Sequence, residues 1–236
     1  MYLHWNDRTM RWMKEASDYS GYTEKLTKIL SPYIPDGARL CDVGCGMGMA
    51  DLLLAPRLRH ITCIDRMAEP LVWLDARCRE EGINNITTRQ GDILELEQTA
   101  DIFMLLFCGA PETTLKRCLG LARDRVIFVT HDVAAMTGHV NPMKKCCDVD
   151  RTDAWLRNNG YSRELLRTGI EFGQPHRSME EALAFQRTYT EGLTEQELIR
   201  QTEESVRPTG DSSFPFYTPK IRHMGIFVIN PTKHGA

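Results

Sequence analysis

Residues 41–48 read Cys-Asp-Val-Gly-Cys-Gly-Met-Gly, and no other segment says more about the architecture of this chain. The segment follows the apolar-rich run 38–41 and precedes residues 49–54, which are mostly good helix formers. Its glycines permit a tight turn and a close approach of the backbone to a ligand, because glycine tolerates positive φ. The motif is therefore predicted to join a strand to a helix, at the crevice where open parallel sheets hold nucleotide-like ligands.

The glycine spacing narrows the choice of ligand. A dinucleotide-binding turn has glycines at its first, third and sixth positions, so that a pyrophosphate can lie at the helix N-terminus. Here the glycines take the first, third and fifth positions, as Gly44, Gly46 and Gly48. This pattern resembles motif I of the class I S-adenosylmethionine (SAM)-dependent methyltransferases. The resemblance implies that the turn, including Cys45, wraps the methionine part of SAM and that Asp42 lies near its amino end.

Acidic residues follow the next two predicted strands. The second strand ends in Ile64-Asp65, and Gly91-Asp92-Ile93 follows the third. In the family that the motif resembles, the first acid accepts hydrogen bonds from both ribose hydroxyls, which suits a carboxylate. The second acid takes the adenine amino group, and its apolar neighbour, here Ile93, packs on the ring. The resemblance also implies that Arg66 and Met67 lie beside the ribose and adenine. An alternative for Asp65 is that it caps the following helix.

The alternation of strands and helices predicts the fold class. Strands are expected at 39–43, 60–64, 85–89, 101–107 and 125–130, with helices at 68–81 and 112–122 between them. Such alternation favours a parallel sheet with right-handed crossovers. Further strands at 165–172 and 221–229 complete a seven-stranded, mostly parallel, Rossmann-like methyltransferase sheet of the α/β class.

The remaining segments are expected to surround this core within one methyltransferase domain over 1–236. Residues 1–34 form an N-terminal helical lid, broken at Ser20-Gly21; residues 38–132 form the SAM-binding core. Residues 133–236 hold a helical insertion near the C-terminus, with helix caps predicted at Ser178 and Thr194 and a loop over 207–219. The layout resembles a group of small prokaryotic class I methyltransferases of undefined substrate, through segments such as Trp5-Asn6-Asp7-Arg8 and Phe172-Gly173-Gln174-Pro175.

The acceptor side of the site is expected after strands four and five. Phe107 and Cys108 should line the cofactor near its reactive methyl group, and a nucleophilic Cys108 is a minor alternative. Thr130-His131-Asp132 ends strand five, where His131 is a candidate general base, since imidazole titrates near neutral pH. The alternative is a hydrogen-bonded loop histidine. The Asn/Asp-Pro-Pro-Tyr signature of some adenine-N6 and glutamine methyltransferases does not occur after strand four.

The aromatic residues of the N-terminal segment are candidates for a cover over the cofactor. Trp5, Trp12, Tyr19 and Tyr22 offer rings whose faces attract a sulfonium charge. Tyr19 and Tyr22 are the preferred contacts, because they precede strand one by the distance seen in related enzymes. Packing against the helices of the sheet is the alternative.

Composition and charge limit the other functions. The chain has 236 residues, 42% of them apolar and 26% charged, with a net charge of −3 and no long basic run, so we expect no nucleic-acid partner. The longest apolar run, 102–110, is too short to span a bilayer, and the N-terminal segment lacks a hydrophobic signal core. These features favour a cytoplasmic enzyme that acts on a small molecule, and a homodimer is possible.

The eight cysteines contain no C-x-x-C pair, and we expect buried free thiols. His131, His139, Cys146 and Cys147 match no zinc spacing, so no metal site is predicted. The vicinal cysteines leave open a thiophilic metalloid such as arsenite as the methyl acceptor. The sequence also leaves open a catalytically silent SAM-binding module or sensor, and a nicotinamide dehydrogenase.

Overall fold

The structure, a computed structural model, describes residues 5–109, 112–136 and 148–233. The helices are α1 (Asp7–Ser20), α2 (Tyr22–Leu30), α3 (Met49–Leu54), α4 (Ala68–Glu81), α5 (Glu112–Leu121), α6 (Val149–Asn158), α7 (Met179–Tyr189) and α8 (Glu195–Ser205). The strands are β1 (Arg39–Val43), β2 (His60–Asp65), β3 (Ile86–Gln90), β4 (Ala100–Leu106), β5 (Ala122–His131), β6 (Tyr161–Glu171), β7 (Gln174–His176), β8 (Arg207–Pro208), β9 (Phe216–Thr218) and β10 (Ile221–Lys233). Among the described residues, no helix has the length and apolar character needed to cross a membrane.

The chain divides into two compact units. The first, called the sheet unit, contains the described residues up to 10, then 23–169, then those from 223 onward. The second, called the helical unit, contains residues 11–22 and 170–222. The predicted division into lid, core and insertion within one domain stays a prediction.

The sheet unit is built on seven strands in the order β3-β2-β1-β4-β5-β10-β6. The first five run parallel, and β10 pairs antiparallel with β5. This confirms the predicted seven-stranded, Rossmann-like sheet. The carboxyl ends of β1, β2 and β3 lie at one edge, because parallel neighbours share their direction.

The sequence of β4 is a nearly continuous apolar run because this strand lies in the core of the sheet unit. Residues 102–105 are all fully buried between helices on the two faces. One side packs Phe103 and Phe128 against α5 through Leu115 and Cys118. A buried sheet of this kind fixes the positions of the turns that follow each strand.

The helical unit contains the largest difference from the sequence expectation. The segment 207–219 is predicted to be a loop, but it contains β8 and β9, which form a three-stranded antiparallel sheet with β7. Proline and glycine flank these two- and three-residue strands, which hides them from a pattern of alternating apolar residues. Trp12 is buried within the helical unit, where its ring contacts Phe185 edge-on at 5.4 Å.

The helix caps follow the predicted pattern. The Thr194 hydroxyl accepts from Glu197 N, and the Glu197 carboxylate accepts from Thr194 N, which completes a capping box. Ser178 Oγ accepts from Glu181 N at 3.1 Å. The Glu181 carboxylate, however, accepts from Arg177 N rather than from Ser178 N. The capping box at Ser178 is therefore incomplete, because the Glu181 carboxylate bonds the backbone N–H of the residue before the N-cap.

The break in the N-terminal helix lies where it is predicted. Helix α1 ends at Ser20, and α2 begins at Tyr22 after Gly21, which has positive φ. Residues 137–147 lie outside the described residues, and with them His139, Cys146 and Cys147.

Candidate functional site

The glycine turn after β1 has the conformation that its sequence predicts. Gly44, Gly46 and Gly48 have φ of +70°, +54° and +60°, values that side-chain-bearing residues rarely adopt. A Cβ on Gly44 would lie 2.4 Å from Cβ of Cys108, and one on Gly46 would lie 2.9 Å from the indole of Trp5. The turn therefore needs glycine both for its backbone and for its close neighbours.

Trp5 is the aromatic residue that the structure brings to this turn within the sheet unit. Its ring atom Cζ2 is the nearest group to the Gly46 position. Trp5 precedes α1 and therefore lies outside that helix. A spacing of seven residues would put Trp5 and Trp12 on one face of a helix, but α1 begins at Asp7, two residues after Trp5.

Asp65 connects the glycine turn to the start of α4. Its Oδ2 accepts a hydrogen bond from Gly46 N at 2.9 Å, and its Oδ1 accepts one from Met67 N at 2.9 Å. Both oxygens keep further acceptor capacity, because each carboxylate oxygen has two lone pairs. Met67 precedes α4, so this bond orders the turn that leads into the helix and does not cap the first N–H groups of α4.

The turn after β3 lies beside the turn after β2. Gly91 N donates to the Asp65 carbonyl at 2.9 Å, and Gln90 Nε2 donates to the Arg66 carbonyl at 3.0 Å. Arg66 forms an ion pair with Asp92. The Asp92 carboxylate accepts from Leu94 N at 2.9 Å, and this bond, with help from Arg66, holds the pKa of Asp92 below its usual range.

Two further hydrogen bonds connect the glycine turn to the end of β2. Gly44 N and Cys45 N both donate to the Ile64 carbonyl, at 2.7 and 3.1 Å. The glycine turn, Asp65 and Asp92 are thus joined through hydrogen bonds and an ion pair at one sheet edge. Ile93 is buried against Ile64 and Leu96 in the core cluster. The structure brings these predicted residues together.

Asp42 lies beneath the turn. It is the fourth residue of β1, and only 2% of its surface is exposed. Burial and the neighbouring carboxyl of Asp51 raise its pKa well above the usual range. Asp51 lies on α3, and sequence reasoning does not single it out. The only signal is a single acid within the apolar run Met-Ala-Asp-Leu-Leu-Leu.

The acceptor-side residues meet at the ends of β4 and β5. Phe107 has φ of +54°, the only positive φ of a described residue other than glycine. Its N–H donates to the Val129 carbonyl at 2.9 Å, and its ring lies 4.9 Å from the His131 imidazole. Cys108 lies against Gly44, which links this strand end to the glycine turn. A strained backbone held by strand pairing is a common feature of functional sites.

Sequence reasoning missed the ion pair that holds the end of β5. Asp132 is buried, and both of its carboxylate oxygens accept from Arg167 Nη1 at 2.9 Å. Arg167 also pairs with Asp150 on α6. No local motif marks this pair, because 35 residues separate Arg167 from Asp132.

Tyr19 and Tyr22 lie in the helical unit. Tyr19 contacts Phe214 and Tyr217, with ring centroids at 5.9 and 5.0 Å. Tyr22 contacts Phe172 at 4.4 Å, and burial raises the pKa of its hydroxyl. Contact of these tyrosines with a cofactor stays a prediction. Within the part of the chain that the structure describes, no cluster of His, Cys, Asp and Glu has the arrangement of a metal site.

Comparison with known proteins agrees with this geometry. Residues 40–126 match a family model described as a methyltransferase domain. None of the curated proteins compared matches the chain in sequence.

Solved structures show the same fold at low sequence identity. A putative methyltransferase from Bacillus halodurans is 14% identical with a TM-score of 0.60, covering 90% of this chain and 100% of its own. The YcgJ protein from Bacillus subtilis is 13% identical with a TM-score of 0.57, covering 87% and 97%. The magnesium protoporphyrin IX methyltransferase of Synechocystis, solved with bound SAM, is 12% identical with a TM-score of 0.55, covering 96% and 86%. Residues 40–126 therefore match a methyltransferase domain, and the chain has the Rossmann-like fold of solved methyltransferases.

Proposed function

We propose that this protein transfers a methyl group from SAM to a small-molecule acceptor by in-line displacement. The observation that carries the proposal is the hydrogen-bonded junction of the glycine turn with Asp65 and with the Arg66–Asp92 pair. When bound, SAM supplies an electrophilic methyl group on a sulfonium centre.

The residues of the three turns suit that cofactor. The glycine turn leaves room for a ligand to approach the backbone, since side chains are absent at Gly44, Gly46 and Gly48. Each carboxylate oxygen of Asp65 accepts one hydrogen bond from a backbone N–H and has a second lone pair free. Asp65 can therefore also accept hydrogen bonds from two ribose hydroxyls. Asp92 would accept from the adenine amino group, with Ile93 behind the ring and Arg66 and Met67 beside it.

The acceptor would bind at the ends of β4 and β5. We assign Phe107 and Cys108 to the wall near the methyl group and His131 to the removal of a proton from an acceptor O–H or N–H. Orientation of the acceptor contributes up to roughly 7–11 kcal/mol to such reactions, so little covalent help from the protein is required. Phe107 suits an orienting role, because strand pairing fixes its unusual backbone conformation.

The choice of a small acceptor rests on charge. The net charge is −3, and the chain contains no long basic run for a nucleic-acid backbone. A cytoplasmic location is part of this proposal. A homodimer is also proposed, since a helical insertion could pair with its copy.

Calorimetry with SAM, followed by a screen of small thiols, amines, phenols and carboxylates for S-adenosylhomocysteine (SAH) release, tests the proposal. We expect SAM binding, and SAH release with at least one acceptor class. Asp65→Ala should weaken SAM binding about tenfold or more, because two hydroxyl contacts are worth about 0.5–1.5 kcal/mol each. The matched control is Asp124→Ala, an exposed acid on β5 that should leave the affinity unchanged.

Two outcomes would contradict the proposal. Absence of SAM binding, or equal binding by Asp65→Ala, would refute the assignment of the cofactor site. SAM binding without SAH release for any acceptor would favour the SAM sensor instead.

A further inference from the structure

Two carboxyl groups lie next to each other beneath the glycine turn. Asp42 on β1 is 2% exposed, and Asp51 on α3 is fully buried. No N–H or O–H group of the described residues donates to Asp42 Oδ1 or to either oxygen of Asp51. The groups that act on Asp51 are the carboxyl of Asp42, the thiol of Cys63 and, without the geometry of a hydrogen bond, its own backbone N–H.

No cation among the described residues offsets these two acids. The titratable groups that act on the pair are the carboxyl of Asp65 and the thiols of Cys41, Cys45, Cys63 and Cys78. They come from β1, the glycine turn, β2 and α4, the elements packed around the pair. None of them is a cation, so none supplies a positive charge that would offset a second negative charge.

Buried neighbouring carboxyls without a cation do not both ionise readily. A buried ion loses its hydration, and a second like charge nearby raises the cost further. One proton held between two carboxyls removes one charge and satisfies an oxygen on each side. The orphaned oxygens of Asp42 and Asp51 are those that such a proton would satisfy.

We propose that Asp51 is a positioning residue of the cofactor site: in the free protein it holds one proton jointly with Asp42, and the pair releases that proton when the cationic cofactor binds. The inference rests on the proposed function, which puts the ammonium group of SAM near Asp42. The released proton passes to the buffer, and the fully ionised pair then faces the positive charges of SAM.

The acid–base properties of the pair agree with this proposal. Burial raises the pKa of Asp51 to about 6, and burial together with Asp51 raises the pKa of Asp42. A cation bound nearby favours the deprotonated form, so the pKa falls on binding. The pair still holds one proton above about pH 6, so SAM affinity should rise with pH in that range, until the free protein loses the proton as well. SAH lacks the sulfonium charge and should release fewer protons.

The first test measures proton release during SAM binding. Calorimetry above pH 6, where the pair holds one proton, counts the protons that each SAM molecule releases when it is carried out in buffers of different ionisation enthalpy. For the unchanged protein, we expect a substantial fraction of one proton, and a SAM affinity that falls up to about tenfold for each unit by which the pH is lowered in this range. Asp51→Asn keeps the volume and can donate to Asp42, so its affinity should be nearly independent of pH. Glu80→Gln, an exposed acid on α4, is the matched control and should behave like the unchanged protein.

The second test needs no cofactor. Carbon-13 NMR of the aspartate carboxyls in the free protein should show two coupled titrations of Asp42 and Asp51, one near pH 6 and one at higher pH, and this coupling should disappear in Asp51→Asn. Two independent titrations below about pH 4.5 would overturn the shared proton, and so would equal pH profiles of SAM affinity for the two proteins. If SAM does not bind at any pH, the proposed function and the coupling both fail, while NMR still decides whether the proton is shared.

Discussion

Gly44→Ala tests whether the glycine turn is packed as described. With φ of +70°, a side chain costs about 1–2 kcal/mol in backbone strain. The added Cβ would also lie 2.4 Å from Cβ of Cys108 and 3.6 Å from its Cα. A Cβ cannot move aside by side-chain rotation, so overpacking adds about 1–3 kcal/mol. The free energy of unfolding should fall by about 2–5 kcal/mol, measured by urea denaturation.

Gly37→Ala is the matched control for this change. Gly37 has φ of +77°, and an added Cβ would meet no atom within 4 Å, so only the backbone cost applies. The double variant Gly44→Ala/Cys108→Gly removes the opposing Cβ and should regain the steric part of the loss. Equal losses for Gly44→Ala and Gly37→Ala would refute the contact between the glycine turn and the end of β4.

The remaining predictions concern stability. Burial lowers the pKa of His176 to about 4, so the native state holds this imidazole neutral. Above the unfolded pKa of about 6.5, this group does not reduce the free energy of unfolding. As the pH falls from there towards 4, the unfolded state takes up a proton that the native state does not, and the free energy of unfolding falls by about 2–3 kcal/mol in total. His176→Gln should therefore show a shallower fall of stability with acid in urea denaturation, and an unchanged slope would contradict this. Arg167→Gln leaves the buried Asp132 without its partner and should cost about 1–3 kcal/mol, discounted because Arg167 is partly exposed. Arg151→Gln, which removes only an exposed pair, should cost much less.

Local chemistry explains what the sequence could predict. The glycine turn, Asp65 and Asp92 each follow a strand in a parallel sheet, and strand direction alone brings their ends to one edge. The break at Gly21 and the cap at Thr194 are equally local, since each depends on a few neighbouring residues. Such features can be predicted because the residues that determine each of them lie within one short segment of the chain.

Long-range pairing explains what the sequence could not predict. The contact of Arg167 Nη1 with both carboxylate oxygens of Asp132 depends on the order of strands in the folded sheet, in which β10 lies between β5 and β6. The Asp42–Asp51 contact depends on the packing of α3 over β1. The short strand β9 pairs with β7 over some 40 residues of sequence, and no periodic pattern records that pairing.

The most direct measurement follows three backbone amides during a SAM titration by nitrogen-15 NMR. Gly46 N and Met67 N are bonded to Asp65, and Leu94 N is bonded to Asp92, so each reports on one of the three turns. We expect all three signals to shift with one common dissociation constant, while the amide of Gly120, on α5, does not move. SAM binding that leaves any of these three amides unchanged would contradict a single site at this edge of the sheet.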